Sequence, residues 1–102
     1  MAKRIIVWTE TATRQRRAIL KYWTFRNKST VYAKKLIKLI AKRAEIIAKN
    51  PTLFKPADFP ETRVCAIGHF SIFYKYTNNK LIITAFWDNR QDPAKLFDII
   101  GD

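Results

Sequence analysis

The sequence predicts an α+β fold. An antiparallel sheet, with elements in the order βααβββ and a short C-terminal helix, packs against an N-terminal antiparallel helical hairpin. Three observations carry that prediction. Ala33, Leu36, Ile37, Ile40, Ala44, Ile47 and Ala48 recur at i, i+3, i+4, i+7, i+11, i+14 and i+15, the clearest helical period in the chain. From Phe70 to Trp87, two apolar runs rich in β-branched and aromatic residues flank Asn78-Asn79. That pair suits a tight hairpin turn because Asn tolerates φ > 0. A short β-branched run ending at Trp8 stands ahead of all helical patterning.

In chain order, Lys3 to Trp8 reads as the first strand. Thr9 or Thr11 caps a helix from about Glu10 to about Asn27, with Glu10 favourable at its positive end. Ala12, Ile19, Leu20 and Trp23 form its core face, and Arg14, Arg17, Lys21 and Arg26 lie outside that stripe. After the polar break Asn27 to Thr30, Ser29 or Thr30 caps a second helix. It runs to about Lys49, where Asn50-Pro51 stops it. So short a link forces the two helices into an antiparallel pair. Thr52 to Pro60 contains Pro56 and Pro60, shows no period and reads as a loop. Thr62 to Ile67, Phe70 to Tyr76 and Leu81 to Trp87 then form a three-stranded meander, with Gly68-His69 as its first turn. Asp92 caps a tail helix that starts at Pro93 and docks through Leu96, Phe97, Ile99 and Ile100.

A chain of 102 residues is expected to form one domain, spanning 1–102. No apolar run is long enough to cross a bilayer, and Ile5 to Trp8 is too short for a signal-peptide core, so a cytoplasmic protein is expected. The charge is the strongest compositional signal: twenty Lys and Arg against eight Asp and Glu, a net of +12. Residues 1–49 carry fourteen basic and two acidic side chains, while residues 50–102 carry six of each. All the excess therefore sits in the N-terminal half, most of it on the hairpin. That points to nucleic acid, a nucleic-acid machine or a strongly acidic protein as partner, with a membrane surface a weaker candidate. Lys34, Lys35, Lys38, Lys42 and Arg43 decorate the outer side of the second helix, whose only acid is Glu45. A plain solvated face accounts poorly for so few acidic i,i+4 partners.

Several chemistries lack their residues. One His and one Cys, with scattered carboxylates, do not suit a metal site, and no cofactor fingerprint is present. Cys65 alternates with apolar neighbours and reads as a small buried hydrophobe. What remains is cationic and phenolic: Arg63, Tyr74, Lys75 and Arg90 on or beside the sheet, with His69 at its edge. Such groups suit phosphate recognition, and Tyr74 or His69 could move a proton. The plainer reading makes Tyr74 a core residue with its hydroxyl satisfied and Lys75 a solvent-side lysine.

The chain resembles the RelE/ParE toxin family of bacterial type II toxin–antitoxin systems over nearly its whole length. The resemblance rests on Ile6 to Ala12 at the strand-to-helix entry, the basic hairpin ending at Asn50-Pro51, and Arg63. It continues through Gly68 to Tyr74 and Phe86 to Pro93. It implies a toxin neutralised by a cognate antitoxin, with no cofactor. RelE-like members cleave mRNA in the ribosomal A site; ParE-like members bind and poison DNA gyrase. The nuclease pattern matches at Arg90. Elsewhere Ser71 stands where nucleases carry Arg, Val64 and Cys65 follow Arg63, and Phe97 replaces the proton-transferring Tyr or His. The resemblance therefore favours the ParE branch, with gyrase as target and Arg63, Arg90, Gln91 and Asp92 as target-binding residues. A ribosome-dependent mRNA endonuclease using Arg63, His69, Tyr74, Lys75 and Arg90 is the alternative. An inactivated toxin that keeps only antitoxin binding is the second. The antitoxin is expected to be acidic and to meet Arg14, Arg17, Lys34, Lys35, Lys38 and Lys42.

Overall fold

The computed structural model of the protein describes residues 4–90. The expected tail helix, with Gln91, Asp92 and Pro93, lies outside them. Strand β1 (Ile5–Trp8) leads into α1 (Glu10–Asn27) and α2 (Val31–Lys49). β2 (Lys55–Pro56), β3 (Arg63–Ile67), β4 (Phe70–Tyr76) and β5 (Lys80–Asp88) follow. The sheet has five strands in the order β1-β5-β4-β3-β2. Strands β2 to β5 run antiparallel, as expected of a meander, but β1 joins β5 in parallel, so the sheet is mixed. The helical hairpin carries the chain from β1 to β2 at the opposite edge, and the meander brings it back to β5, so the connection is far longer than the dozen or so residues a parallel pair requires. β2 falls in the stretch that reads as a loop. Two residues carry no alternation, and Pro56 is tolerated because the strand is an edge.

Both helices start and stop where local chemistry dictates. The Thr9 hydroxyl accepts a hydrogen bond from the Ala12 amide at 3.1 Å and caps α1. At the entry to α2, Ser29 Oγ accepts from the Val31 amide at 3.2 Å, while Thr30 makes no side-chain cap. Between the helices Lys28 adopts φ 52°, and the amides of Lys28 and Ser29 return to Phe25 and Thr24 carbonyls, closing α1. A side chain in that left-handed conformation is strained. Lys28→Gly is therefore expected to raise stability by several tenths to about 1 kcal/mol in a denaturant titration.

The core lies between the helices and one sheet face. Ala12 and Ile19 of α1, and Leu36, Ile40, Ala44, Ile47 and Ala48 of α2, meet Ile67, Phe70, Ile72, Tyr74, Leu81, Ile83 and Phe86. Ile37 fits the helical period of this face yet is 49% exposed, lining two surface clefts instead of the core. The opposite face holds a smaller cluster of Phe73, Ala85 and Trp87, backed by Ala57, Phe59 and Val64. Gly68, with φ 57°, and His69 form the β3–β4 turn, the glycine occupying the first central position that a type II′ loop reserves for it. The β4–β5 turn does fall at Asn78-Asn79, but without positive φ at either residue. Thr77 Oγ1 instead accepts from the Asn79 and Lys80 amides.

A bulge breaks the register between β4 and β5: Phe73 faces Ala85, whereas Tyr74 faces Ile83. Thr84 is the extra residue, tied down by its own hydroxyl to the Phe73 carbonyl and by the Thr9 hydroxyl to its carbonyl. One inserted residue reverses the inside-outside parity of a strand. Before the bulge Leu81 and Ile83 face the helices; after it Phe86 does, and Ala85 and Trp87 face away.

Candidate functional site

That parity change decides what the end of β5 presents. Asp88 shares the parity of Phe86 and so turns toward α1, where it and Arg90 line a cleft of about 460 Å³ with Ile19, Tyr22 and Trp23. Arg90 donates to both Asp88 oxygens, from Nε at 3.0 Å and from Nη2 at 2.7 Å, and its amide donates to Oδ1 at 3.0 Å. Asp88 is only 8% exposed. These Arg90 side-chain bonds hold its carboxyl below the usual carboxylate range, against the opposing effect of burial. The Arg90 guanidinium carbon also lies 4.8 Å from the Trp23 ring centroid. Trp23 touches Tyr22 and Tyr32, each at 5.3 Å between centroids, and Arg26 approaches it at 5.8 Å. The strand-end cation is thus a half-exposed arginine clamped in a fixed direction over an aromatic platform. Beside it, Ser71 Oγ donates to Asn89 Oδ1 at 2.9 Å, and the His69 carbonyl accepts from the Asn89 amide at 2.8 Å.

The five residues that nuclease chemistry would require do not converge. His69 and Arg90 lie at the end of the sheet where Phe70 faces Asp88. Arg63 and Lys75 lie at the other end, where Arg63 faces Tyr74. Five residue steps along β4 lead from Phe70 to Lys75, about 17 Å of extended chain. Tyr74 is fully buried, and its hydroxyl donates to the Pro51 carbonyl at 2.6 Å. Burial pushes its pKa up to about 12, with nearby Arg63 opposing. This is the plainer of the two placements the sequence offers Tyr74: a core residue that reaches no solvent, with its hydroxyl hydrogen-bonded. Arg63 is likewise committed, donating to the Phe54 carbonyl at 2.6 Å and so tying the loop before β3 to the sheet. Lys75 is exposed and flanks a shallow pocket with Arg63 and Tyr76.

On the hairpin, Arg14, Arg17, Lys34, Lys35, Lys38 and Lys42 are all exposed. Arg14 pairs with Glu10 at 3.5 Å. Arg43 belongs to the structure more than to the outer surface: it donates to the Ala66 carbonyl at 2.6 Å and binds α2 to β3. Between the helices runs an apolar groove of about 1030 Å³ with Ala18, Leu20, Ala33 and Ile37 in its lining, flanked by Arg17 and Lys34. The groove and Arg16, whose guanidinium lies over the Trp8 ring, are the features that sequence reasoning missed, and Trp23, read there as core, is also the platform under Arg90. For Arg16 a signal existed. It falls four residues after Ala12 and four before Leu20, inside the apolar stripe of α1, where a cation needs a reason. Among the described residues no helix is long and apolar enough to cross a membrane, and no group of three or more His, Cys, Asp or Glu is placed to hold a metal ion.

Residues 6–93 match the model of a family described as the ParE toxin of the type II toxin–antitoxin system, parDE. The fold is similar to a solved structure of the chromosomal ParDE toxin–antitoxin system from P. aeruginosa. The TM-score is 0.70 at 17% sequence identity, over 82% of this chain and 94% of that one. Among curated protein sequences no match was found.

Proposed function

Because the chain belongs to the ParE toxin family of type II toxin–antitoxin systems, we propose that it arrests bacterial growth by binding DNA gyrase in the cytoplasm, until an acidic antitoxin covers it. The family match over residues 6–93 carries this reading. The side chains support binding over proton transfer: Tyr74 is sealed in the core and Arg63 holds a loop, while Arg90 is oriented and half-exposed. A fixed cation on an aromatic platform suits recognition of a partner surface, where Arg, Trp and Tyr contribute most. In this reading Arg90 is the central target contact, and Gln91 and Asp92 extend it.

The test must respect the Asp88–Arg90 pair. Arg90→Ala alone strands a nearly buried carboxylate, so lost toxicity could follow from lost folding. Removing both charges, in Asp88→Ser/Arg90→Ala, avoids this. That double variant is expected to keep a cooperative thermal transition and to lose growth arrest on induction in bacteria. The unaltered protein is expected to inhibit purified gyrase, to induce DNA-damage signalling and to leave mRNA uncut at ribosomes. A folded double variant with full toxicity removes Arg90 from the target surface. A-site cuts by the unaltered protein in a purified translation system replace gyrase with the ribosome.

A further inference from the structure

The outer side of α2 carries an apolar line that the core does not use. Tyr32, Leu39 and Ile46 are spaced seven residues apart, a period that keeps them on one side of a helix. Each is between 38% and 46% exposed. From Tyr32 to Ile46 the line runs about 21 Å. Leu39 stands two residues from Ile37, about 160° round the helix, so this ridge faces away from the groove between the helices. Three residues after each ridge residue comes a lysine: Lys35, Lys42 and Lys49. All three are exposed, and none has a carboxylate partner among the described residues. On the other flank Arg43 fastens α2 to β3 through the Ala66 carbonyl. The ridge also has a fixed beginning. The Tyr32 ring lies 5.3 Å from that of Trp23, over which Arg90 sits at 4.8 Å.

We propose that this ridge is the second half of the target-binding surface. Tyr32, Leu39 and Ile46 receive a helix of the target with apolar residues at the same seven-residue spacing, and Lys35, Lys42 and Lys49 pair with carboxylates beside that stripe. The proposal rests on the toxin reading above and extends its Arg90 contact. Continuity and charge select this occupant. Trp23 is shared between Arg90 and Tyr32, so a target seated on Arg90 reaches the ridge without a gap. Two helices with seven-residue apolar periods cross at a shallow angle and stay in contact for several turns. The ridge offers about four turns. A second copy of this chain, itself at +12, would bring its own lysines against these. Nucleic acid could use the lysines, but Leu39 and Ile46 on the same face give a phosphate nothing to bind. Between the two kinds of contact the work divides. Exposed lysines steer the encounter, whereas the apolar anchors, with Arg90, govern dissociation.

The experiment measures binding of the full-length protein and its variants to purified gyrase, and separately to the antitoxin encoded beside it. Leu39→Ala/Ile46→Ala places good helix formers at exposed positions, so the thermal transition should hardly move. It is expected to weaken gyrase binding about thirtyfold, mainly through faster dissociation, and to change antitoxin binding less than about threefold. Lys35→Glu/Lys42→Glu should slow association with gyrase about tenfold at low salt, an effect that fades as salt rises. Gyrase binding by a folded Leu39→Ala/Ile46→Ala within twofold of the unaltered protein overturns the proposal. So does a loss confined to antitoxin binding, which would hand the ridge to the antitoxin. So does a dimer in sedimentation that this variant dissolves, which would give the ridge to a second copy. If Lys35→Glu/Lys42→Glu loses binding to a bare DNA duplex while Leu39→Ala/Ile46→Ala keeps gyrase, the face serves nucleic acid and the proposal falls. Should the alanine pair fail to fold, Leu39→Gln alone decides: at least about fivefold weaker gyrase binding is expected, and binding within twofold overturns the proposal. An unaltered protein that does not bind gyrase at all overturns the gyrase reading itself, and the ridge with it, a separate outcome.

Discussion

Phe86→Ala is expected to cost about 3–5 kcal/mol, a large part of the roughly 5–15 kcal/mol that holds a protein of this size folded. Phe86 is fully buried. Its ring stacks on Phe70 at 5.4 Å and meets the edge of Trp8 at 6.4 Å, so it joins β4, β5 and β1 under the helices. Its amide donates to Gln15 Oε1 at 2.9 Å, which fastens α1 to the strand at the same point. Truncation removes the ring from both aromatic neighbours and leaves a cavity that a sheet and two helices cannot easily close. The melting temperature should fall by roughly 15–30 °C. Phe25→Ala is the control: an equal truncation at an exposed site should change stability by at most about 0.5 kcal/mol. A loss under about 1.5 kcal/mol for Phe86→Ala, read by circular dichroism, would mean the layer closes without its central ring.

Tyr74 should give the protein an alkaline weakness. Its hydroxyl is protonated and donating in the folded state, with the pKa raised to about 12 against an ordinary value of 10.0. A raised pKa stabilises the fold fully below the unfolded value, and that stability drains away as pH climbs through the folded one. Between about pH 10 and pH 12 the protein should therefore lose about 2–3 kcal/mol through this residue. Tyr74→Phe removes the proton and the slope together. At neutral pH it leaves the Pro51 carbonyl without its donor, at a cost of about 1–3 kcal/mol. Denaturant titrations of both proteins across this range isolate the residue as the difference between two curves. Parallel curves would mean that Tyr74 ionises without opening the core.

What could be read from the sequence divides along sequence distance. The helices were legible because their causes are local: Thr9 caps, Asn50-Pro51 stops, and the 3.6-residue period of α2 places six of its seven stripe residues in the core. Ile37 escapes because it lies at the edge of that stripe, where it lines surface clefts, and tertiary packing, not period, decides exposure there. The meander strands were legible from composition. The neighbour of β1 was not, since nothing near Ile5 names β5, and the bulge was hidden because Leu81 to Trp87 is apolar on both faces. The site follows the same division. Arg90 stood out as a residue, but its clamp needs Asp88 turned inward, and that depends on Thr84. Arg63 looked available because a strand pattern does not reveal which carbonyl a side chain will reach; for Tyr74 the aromatic strand suggested a satisfied core hydroxyl but not that its partner is the Pro51 carbonyl.

The parallel pairing of β1 with β5 also sets an order in time. The contact between Thr9 and Thr84 closes 75 residues of chain. The helical hairpin and the β3–β5 meander can form as their residues emerge, since their contacts are local and quick to close. β1 is made first and has to wait for its neighbour, the last strand described. Until β5 is made, the edge that receives β1 does not exist, and Trp8 lacks the Phe86 ring it packs against. A chain stopped before β5 therefore has its helices but neither the β1–β5 seam nor the strand end that carries Arg90. The described fold is finished by joining its first strand to its last, so the oldest part of the chain is the last to find its place.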